Sequence, residues 1–413
     1  MESIEGLLDG PAWHGSTYKE VGAVKRILAL VLVALLGLSL VGFAAGKIGI
    51  VYDVGGPGDL SFNDMAYLGA SRAAAEFGMT ITALQSATAD DYYPNVQTLA
   101  ASGEFAIIIS IGFMMQDAVS LVATEYPNQK FAIIDGYLDG PNIQVLGSKE
   151  NEMSALVGAL SGLLASQYGY RYIGVVFGME IPILYHFEAG FRFGVDWAFK
   201  EYQNRGLGIP ADVGMLYVYT GSFEDVALGK SNAQAQLAQG AVGVFCVAGK
   251  LGIGMIDAVE EKHIALGTTT APTGAPYYFG VDQNQDWMKL GLYGLASGMK
   301  RVDNQAYGAV KDAVNGTFVG GFKTSGLAEG GVSLSKKQDL VDALPFAVQT
   351  GRVTEADSGL IIANWEANRN ALPAFIWTLV SDLEAGVLDG SIVVPTANTK
   401  AEMEAIRALY PLP

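Results

Sequence analysis

The sequence predicts an α/β protein of two lobes, each a parallel sheet wound with right-handed crossovers. Three observations carry that prediction. From Lys47 onward, short apolar runs alternate with longer amphipathic segments. The stretch IGIVYDVGGPGDLSFN, residues 48–63, reads as strand, glycine loop and helix start, the first half of a βαβ unit. The alternation then runs through two successive series of similar size, in a chain of 413 residues that is too long for one ordinary domain.

In the first series, strand-like runs fall at Ile48–Tyr52, Thr80–Leu84, Phe105–Ser110 and Phe131–Ile134, with Ile143–Lys149 leading out. Helix-like segments lie between them at Asp64–Phe77, Pro94–Ser102 and Met115–Tyr126. Gly78, Gly103 and Pro127 stop these helices. Ser61 or Asn63 is placed to cap the helix beginning at Asp64. Ligands in such sheets are met just beyond the carboxyl ends of the strands. Asp53, Phe62 and Asn63 therefore stand where a ligand would arrive, although a loop Asp also serves as a turn former and a loop Phe as a core plug.

The second series opens with a small-residue helix over Glu150–Gln167, then a strand at Tyr172–Phe177 and a helix at Pro182–Tyr202. It continues with a strand at Val213–Tyr217, a helix at Glu224–Gln239, a strand at Val242–Val247 and a helix at Leu251–Glu261. Strand-like runs at His263–Gly267 and Tyr278–Val281 flank TTTAPTGAP, a turn-rich surface loop. Asp286–Asn315 reads as helical and is followed by a glycine-rich stretch. The chain closes with a helix over Pro373–Ala385 and a short strand at Ile392–Val394.

Half the residues are apolar and the formal charge is −17, which describes a globular acidic protein and argues against nucleic acid as a partner. Residues 24–46 read as a secretory signal: Lys25 and Arg26, an apolar run from Ile27 to Ala45, and small residues before Lys47. An uncut membrane anchor is the other reading of that run. The residues before Val24 fit no signal-peptide plan. Translation starting at Val24 on a GTG codon would account for them, since Lys19-Glu20-Val21 can be encoded as a ribosome-binding site. Export is expected, to the periplasm or cell surface at the plasma membrane. The single cysteine, Cys246, sits in an apolar run, so no cysteine follows the signal to carry a lipid.

Catalytic signatures are not found. His14, His186 and His263 have no second ligand at metal spacing, so no metal or other cofactor is expected. GKSN at 229–232 ends like a phosphate loop, but Glu224 occupies the position of its required first glycine. GKLGIG at 249–254 joins a strand to a helix and is either an anion-holding loop or a tight βα turn. The residues argue for binding, not for an enzyme.

GDLSFND at 58–64, with Asp53 upstream, resembles the opening motif of the basic membrane protein family of substrate-binding proteins, which includes purine nucleoside receptors. The resemblance continues in order through YPNQKFAIID (126–135), FEAGFRFGV (187–195), TGSFED (220–225), AGKLGIG (248–254), GVDQNQ (280–285), SGMKRVDNQAYGAVKD (297–312) and GLAEGGVSLS (326–335). The TTTAPTGAP loop and the segment Val353–Pro373, with Trp365, depart from the family pattern.

The resemblance implies the type I periplasmic-binding-protein fold: two doubly wound parallel-sheet lobes joined by three hinge crossings, with ligand held between them. It places residues 47–147 and 299–335 in the first lobe and 148–298 and 336–413 in the second, behind a leader at 1–46. It also implies a monomer serving an ABC permease and ATPase, with a purine nucleoside as ligand. Carried over by motif, Phe62 and Phe223 stack on the two faces of the base, and Asp53 and Asn63 address its polar edge. Asp282 accepts from two ribose hydroxyls, Lys300 donates to a ribose oxygen, and Gly249 lets backbone approach the sugar. Gly112, Phe113 and Phe187 are further candidates for the cleft wall. Local roles stay open beside these: Phe223 as a plug of the second lobe, Asp282 as a helix cap, Lys300 as a solvated lysine. A sugar or polyol receptor of the same fold, or a sensory receptor, remains the alternative.

Overall fold

The computed structural model describes residues 46–208, 212–269 and 274–412. The expected signal segment and the start at Val24 lie outside the described residues, as does the middle of the Thr268–Pro276 loop. In chain order come β1 (Lys47–Tyr52), α1 (Phe62–Phe77), β2 (Thr80–Gln85), α2 (Tyr92–Ser102), β3 (Phe105–Ile111), α3 (Gln116–Glu125), β4 (Phe131–Ile134) and β5 (Ile143–Ser148). Next follow α4 (Glu150–Tyr168), β6 (Tyr172–Phe177), α5 (Pro182–Asn204), β7 (Gly214–Tyr219), α6 (Val226–Ala238), β8 (Ala241–Val247), α7 (Leu251–Leu266), β9 (Tyr277–Asp282) and β10 (Gly294–Lys300). The chain then runs through α8 (Val302–Asn315), β11 (Gly321–Ser325), β12 (Val332–Leu334), α9 (Lys337–Gln349), α10 (Ser358–Asn370), α11 (Ala374–Leu388) and α12 (Lys400–Leu409).

Two six-stranded sheets result, in the orders β11-β5-β4-β3-β1-β2 and β12-β10-β9-β8-β6-β7. The first is parallel throughout. The second is parallel except at β12, which pairs antiparallel with β10. Both are doubly wound: strand order reverses between β1 and β3 in one sheet and between β6 and β8 in the other. Such reversals open a crevice at the carboxyl ends of the strands, where these folds take their ligands. The backbone passes between lobes three times, from β5 into α4, from β10 into α8, and from β11 to β12.

Central strands buried on both faces explain the near-continuous apolar runs of β3 and β8. The small-residue character of α4 has an equally direct cause. A Cβ on Gly158 would collide with the carbonyl of Phe191, and one on Gly194 with that of Ala155, so α4 and α5 approach backbone to backbone.

Several sequence expectations are corrected. His263–Gly267 is the end of α7, not a strand. Short apolar runs do not distinguish the two by period, and here His263 stacks on Tyr293 at 4.3 Å and bonds the Pro276 carbonyl at 2.8 Å. Asp286–Asn315 is not one helical stretch, because it contains β10, whose seven residues GLASGMK are all buried and so carry no alternation. β12 pairs in the second sheet, although the resemblance assigns 332–335 to the first lobe. Met299 and Lys300, which the resemblance also assigns to the first lobe, end β10 in that second sheet. Ile392–Val394 forms no strand. The first helix starts at Phe62, and neither Ser61 nor Asn63 caps it through its side chain. The buried carboxylate of Asp59 instead accepts from the backbone N–H groups of Ser61, Asn63 and Asp64 at 2.8–3.1 Å.

Candidate functional site

The carboxyl ends of both sheets face one cavity of about 640 Å³, measured out to its open mouth. The first lobe contributes Asp53 beyond β1, Phe62 and Asn63 at the start of α1, Gly112 and Phe113 beyond β3, and Asp135 beyond β4. The second contributes Phe187 on α5, Phe223 before α6, Gly249 beyond β8, Asp282 at the end of β9 and Lys300 at the end of β10. All ten sequence-derived candidates thus border a single space.

The loop after β1 is held by its own carboxylates. Asp53 accepts from the Gly55 amide at 2.9 Å and from Asn63 Nδ2 at 3.0 Å. Its other oxygen lies beside Gly112, where a Cβ would stand only 3.0 Å away and φ is +118°. Only glycine combines that backbone angle with room for the carboxylate. Asn63 Oδ1 is buried without a hydrogen-bond partner among the described residues, which leaves an acceptor beside Asp53. Burial raises the pKa of Asp53, against the pull of Asn63, and drives Asp59 up to about 7 despite its three amide donors.

This loop also reaches across the cleft. Leu60, at φ +54°, is buried in the core of the second lobe, and its carbonyl accepts from Gln285 Nε2 at 2.8 Å. Ser61 Oγ donates to Asp282 Oδ2 at 2.7 Å. Asp282 itself has φ +62°, a costly conformation for a non-glycine residue that collects at ligand sites. Its side chain caps no helix.

Lys300 is not a solvated lysine: it is 1% exposed. Its ammonium donates to both oxygens of Asp135 at 2.6 and 2.7 Å, lies 2.8 Å from Glu150 Oε1, and sits 5.2 Å from the centre of the Phe62 ring. Burial opposes its charge, but Asp135, Glu150 and Asp282 overcome that and hold its pKa above the ordinary lysine value. Lys300 and His186 hold the pKa of Glu150 below the ordinary carboxylate value although it is buried, while burial raises that of Asp135 against the pull of Lys300. From Glu150 the polar chain continues to His186 Nδ1 at 2.9 Å and from His186 Nε2 to Asn398 at 3.1 Å. Tyr137, whose ring meets Phe113 edge-on at 6.0 Å, closes the chain with its hydroxyl donating to Asn398 at 2.9 Å.

Sequence reasoning missed Asp59, Asp135, Glu150 and His186 as parts of this site. Asp135 carried the same signal as Asp53, an acid at the carboxyl end of an apolar strand, and was available to the same rule. The anion-holding reading of GKLGIG is also settled by geometry. The amides of Lys250, Leu251, Gly252 and Ile253 donate to the carbonyls of Phe223, Ala248, Gly249 and Lys250, so the loop is a tight turn that anchors Phe223. Trp365, in the segment that departs from the family pattern, donates to Asp286 inside the second lobe at 3.0 Å and does not border the cavity.

Among the described residues, no group of three or more His, Cys, Asp or Glu side chains is arranged to hold a metal. The arrangement offers an apolar slot with aromatic walls, a carboxylate and an amide at one side, and a paired ammonium beside a second carboxylate. That chemistry suits a flat, hydrogen-bonding organic molecule.

A family model described as ABC transporter substrate-binding protein PnrA-like matches residues 47–361. A lipoprotein of Pyrococcus abyssi named as uncharacterized is 34% identical over 400 residues, covering 92% of this chain and 95% of that protein. The ABC transporter nucleoside-binding protein BmpA of Lactococcus lactis is 29% identical over 328 residues, covering 75% of this chain and 88% of BmpA. A solved ABC transporter solute-binding protein from Aeropyrum pernix K1 superposes with a TM-score of 0.79 at 32% identity, covering 88% of this chain and 97% of that one.

Proposed function

This chain belongs to the PnrA-like family of ABC transporter substrate-binding proteins, and from that premise we propose that its ligand is a purine nucleoside, held between the lobes and handed to a permease and ATPase. One observation carries the reading: Phe62 from the first lobe and Phe223 from the second border the same cavity as Asp53, Asn63, Asp282 and Lys300. Two rings supply surfaces for a planar base. Asp282 supplies paired acceptors for vicinal hydroxyls, and Lys300, kept charged by Asp135 and Glu150, lies beside them. The name of the Lactococcus lactis relative agrees with this ligand class.

Capture works by closure. A ligand that touches both lobes stabilises the state in which Ser61 reaches Asp282 and Gln285 reaches Leu60, and so shifts the population toward the closed form. The protein acts outside the cytoplasm as a monomer at the plasma membrane. The lipoprotein names of its Pyrococcus relatives support that placement.

Calorimetric titration of the purified protein with guanosine, adenosine, inosine, ribose and glucose tests the proposal. Binding of at least one purine nucleoside at micromolar or tighter affinity is expected, with ribose far weaker. Binding of a free sugar without any nucleoside would overturn the reading in favour of a sugar receptor.

A further inference from the structure

We propose that His186 is a positioning residue for Lys300 and for the contact between the lobes: protonated, it tightens their hold on the ligand, and losing its proton loosens that hold, so that affinity falls as pH rises. His186 does not border the ligand cavity and acts through Glu150, Lys300 and Asn398. The inference takes from the proposed function only that a ligand is held between the lobes beside Lys300.

The geometry of the ring comes first. Both ring nitrogens face acceptors: Nδ1 lies 2.9 Å from Glu150 Oε2, and Nε2 lies 3.1 Å from Asn398 Oδ1. An imidazolium donates from both, whereas a neutral ring must set a lone pair against one of them. With Nδ1 held by a carboxylate, the nitrogen that gives up its proton is Nε2. That lone pair then meets the Asn398 oxygen to which Tyr137, from the first lobe, donates at 2.9 Å. Deprotonation therefore weakens a contact that crosses between the lobes. Tyr137 in turn meets Phe113 of the cavity wall edge-on at 6.0 Å.

The charges point the same way. Glu150 is divided between two cations, since its other oxygen lies 2.8 Å from the Lys300 ammonium. A neutral His186 leaves that carboxylate to Lys300 alone and draws the ammonium away from the cavity. On the second-lobe side Lys300 is then one cation against the two carboxylates of Glu150 and Asp282, and Asp135 and Asp53 face it from the first lobe. A proton on His186 balances that side, so closure no longer sets like charges against each other, and burial keeps salt from screening the difference.

The remaining charged and titratable groups around the ring are engaged elsewhere. Lys149 pairs with Glu152 at the start of α4. The Glu402 carboxylate accepts from the amides of Asn398 and Thr399 before α12. Glu180 takes Lys400 and the Tyr185 hydroxyl, and Glu188 on α5 takes Arg192 and Arg407. Burial opposes the charge on His186, but Glu150 outweighs it and raises the pKa of the ring above the ordinary value. His186 also borders a separate groove, with Lys149, Glu152 and Phe322, that is open to solvent. Its proton can exchange there while the ligand cavity stays shut.

Calorimetric titration of the purified full chain with guanosine between pH 5.5 and pH 8 tests the inference. Affinity of the parent should fall about fivefold or more across that range, a coupling of ordinary size between two sites. His186→Gln, which can bond both partners without a charge, should be weak at both ends of the range. His186→Lys, charged throughout, should bind tightly at both ends. The same pH profile in the parent and in His186→Gln would overturn the inference, whatever other groups contribute to it, and leave the nucleoside reading standing. If guanosine binds at no pH, the nucleoside reading fails, and the same series with ribose or glucose decides this inference. Nuclear magnetic resonance of the imidazole gives a readout that needs no ligand. A midpoint for His186 above the ordinary 6.5 supports the inference, and one at or below it overturns it. Saturating ligand should move that midpoint to still higher pH, because the coupling is reciprocal.

Discussion

Replacing Phe62 is the sharpest probe of the proposed ligand class. Its ring is half-buried at the start of α1, with one side near the Lys300 ammonium at 5.2 Å and the cavity beside it. Stacking a base on an aromatic side chain contributes about 1–3 kcal/mol by alanine substitution, so Phe62→Ala should weaken guanosine binding about 5- to 150-fold. Phe62→Leu keeps most of the apolar volume while removing the flat face, and should recover only a minor part of that loss. Isothermal titration of both variants, with urea unfolding of the ligand-free proteins as the control for folding, gives the measurement. Affinity for guanosine within twofold of the parent in both variants, at unchanged stability, would refute the stacking argument and the nucleoside assignment that depends on it.

Ser61→Ala removes a buried hydrogen bond from one lobe to a carboxylate on the other, worth about 1.5–3 kcal/mol. It should speed ligand release by about tenfold or more in stopped-flow measurements, with the association rate nearly unchanged. The pKa of Asp59 is raised from 3.8 to about 7 by burial, so the folded protein holds that proton more tightly than the unfolded chain. Its contribution is favourable below pH 3.8 and is lost as pH rises to about 7. Urea midpoints compared at pH 4 and pH 7.5 should show wild type falling relative to Asp59→Asn. Gly194→Ala forces α4 and α5 apart where a Cβ meets the Ala155 carbonyl, and should cost about 1–3 kcal/mol in urea unfolding.

What the sequence determined by itself is the set of side chains at strand ends. The order of strand, glycine loop and helix at 48–63 puts Asp53, Phe62 and Asn63 at the mouth of a sheet by local geometry alone. Phe223, Gly249, Asp282 and Lys300 came from the resemblance instead, carried over on ordered motifs. Local signals failed where the deciding contact lies far along the chain. β10 has no period to read, because neighbours on both sides bury all of its small residues. The helix cap came from Asp59 and not from Ser61, since the loop had first to fold Asp59 beneath its own amides.

Only the tertiary structure decided the electrical state of the site. Lys300 meets Asp135 across 165 positions of sequence, and Glu150 joins them from the start of α4. No spacing in the chain encodes that meeting. It arises because β4, β10 and the crossing into α4 end at one point when the two sheets close on each other, and an ammonium buried there persists only with carboxylates to pair it.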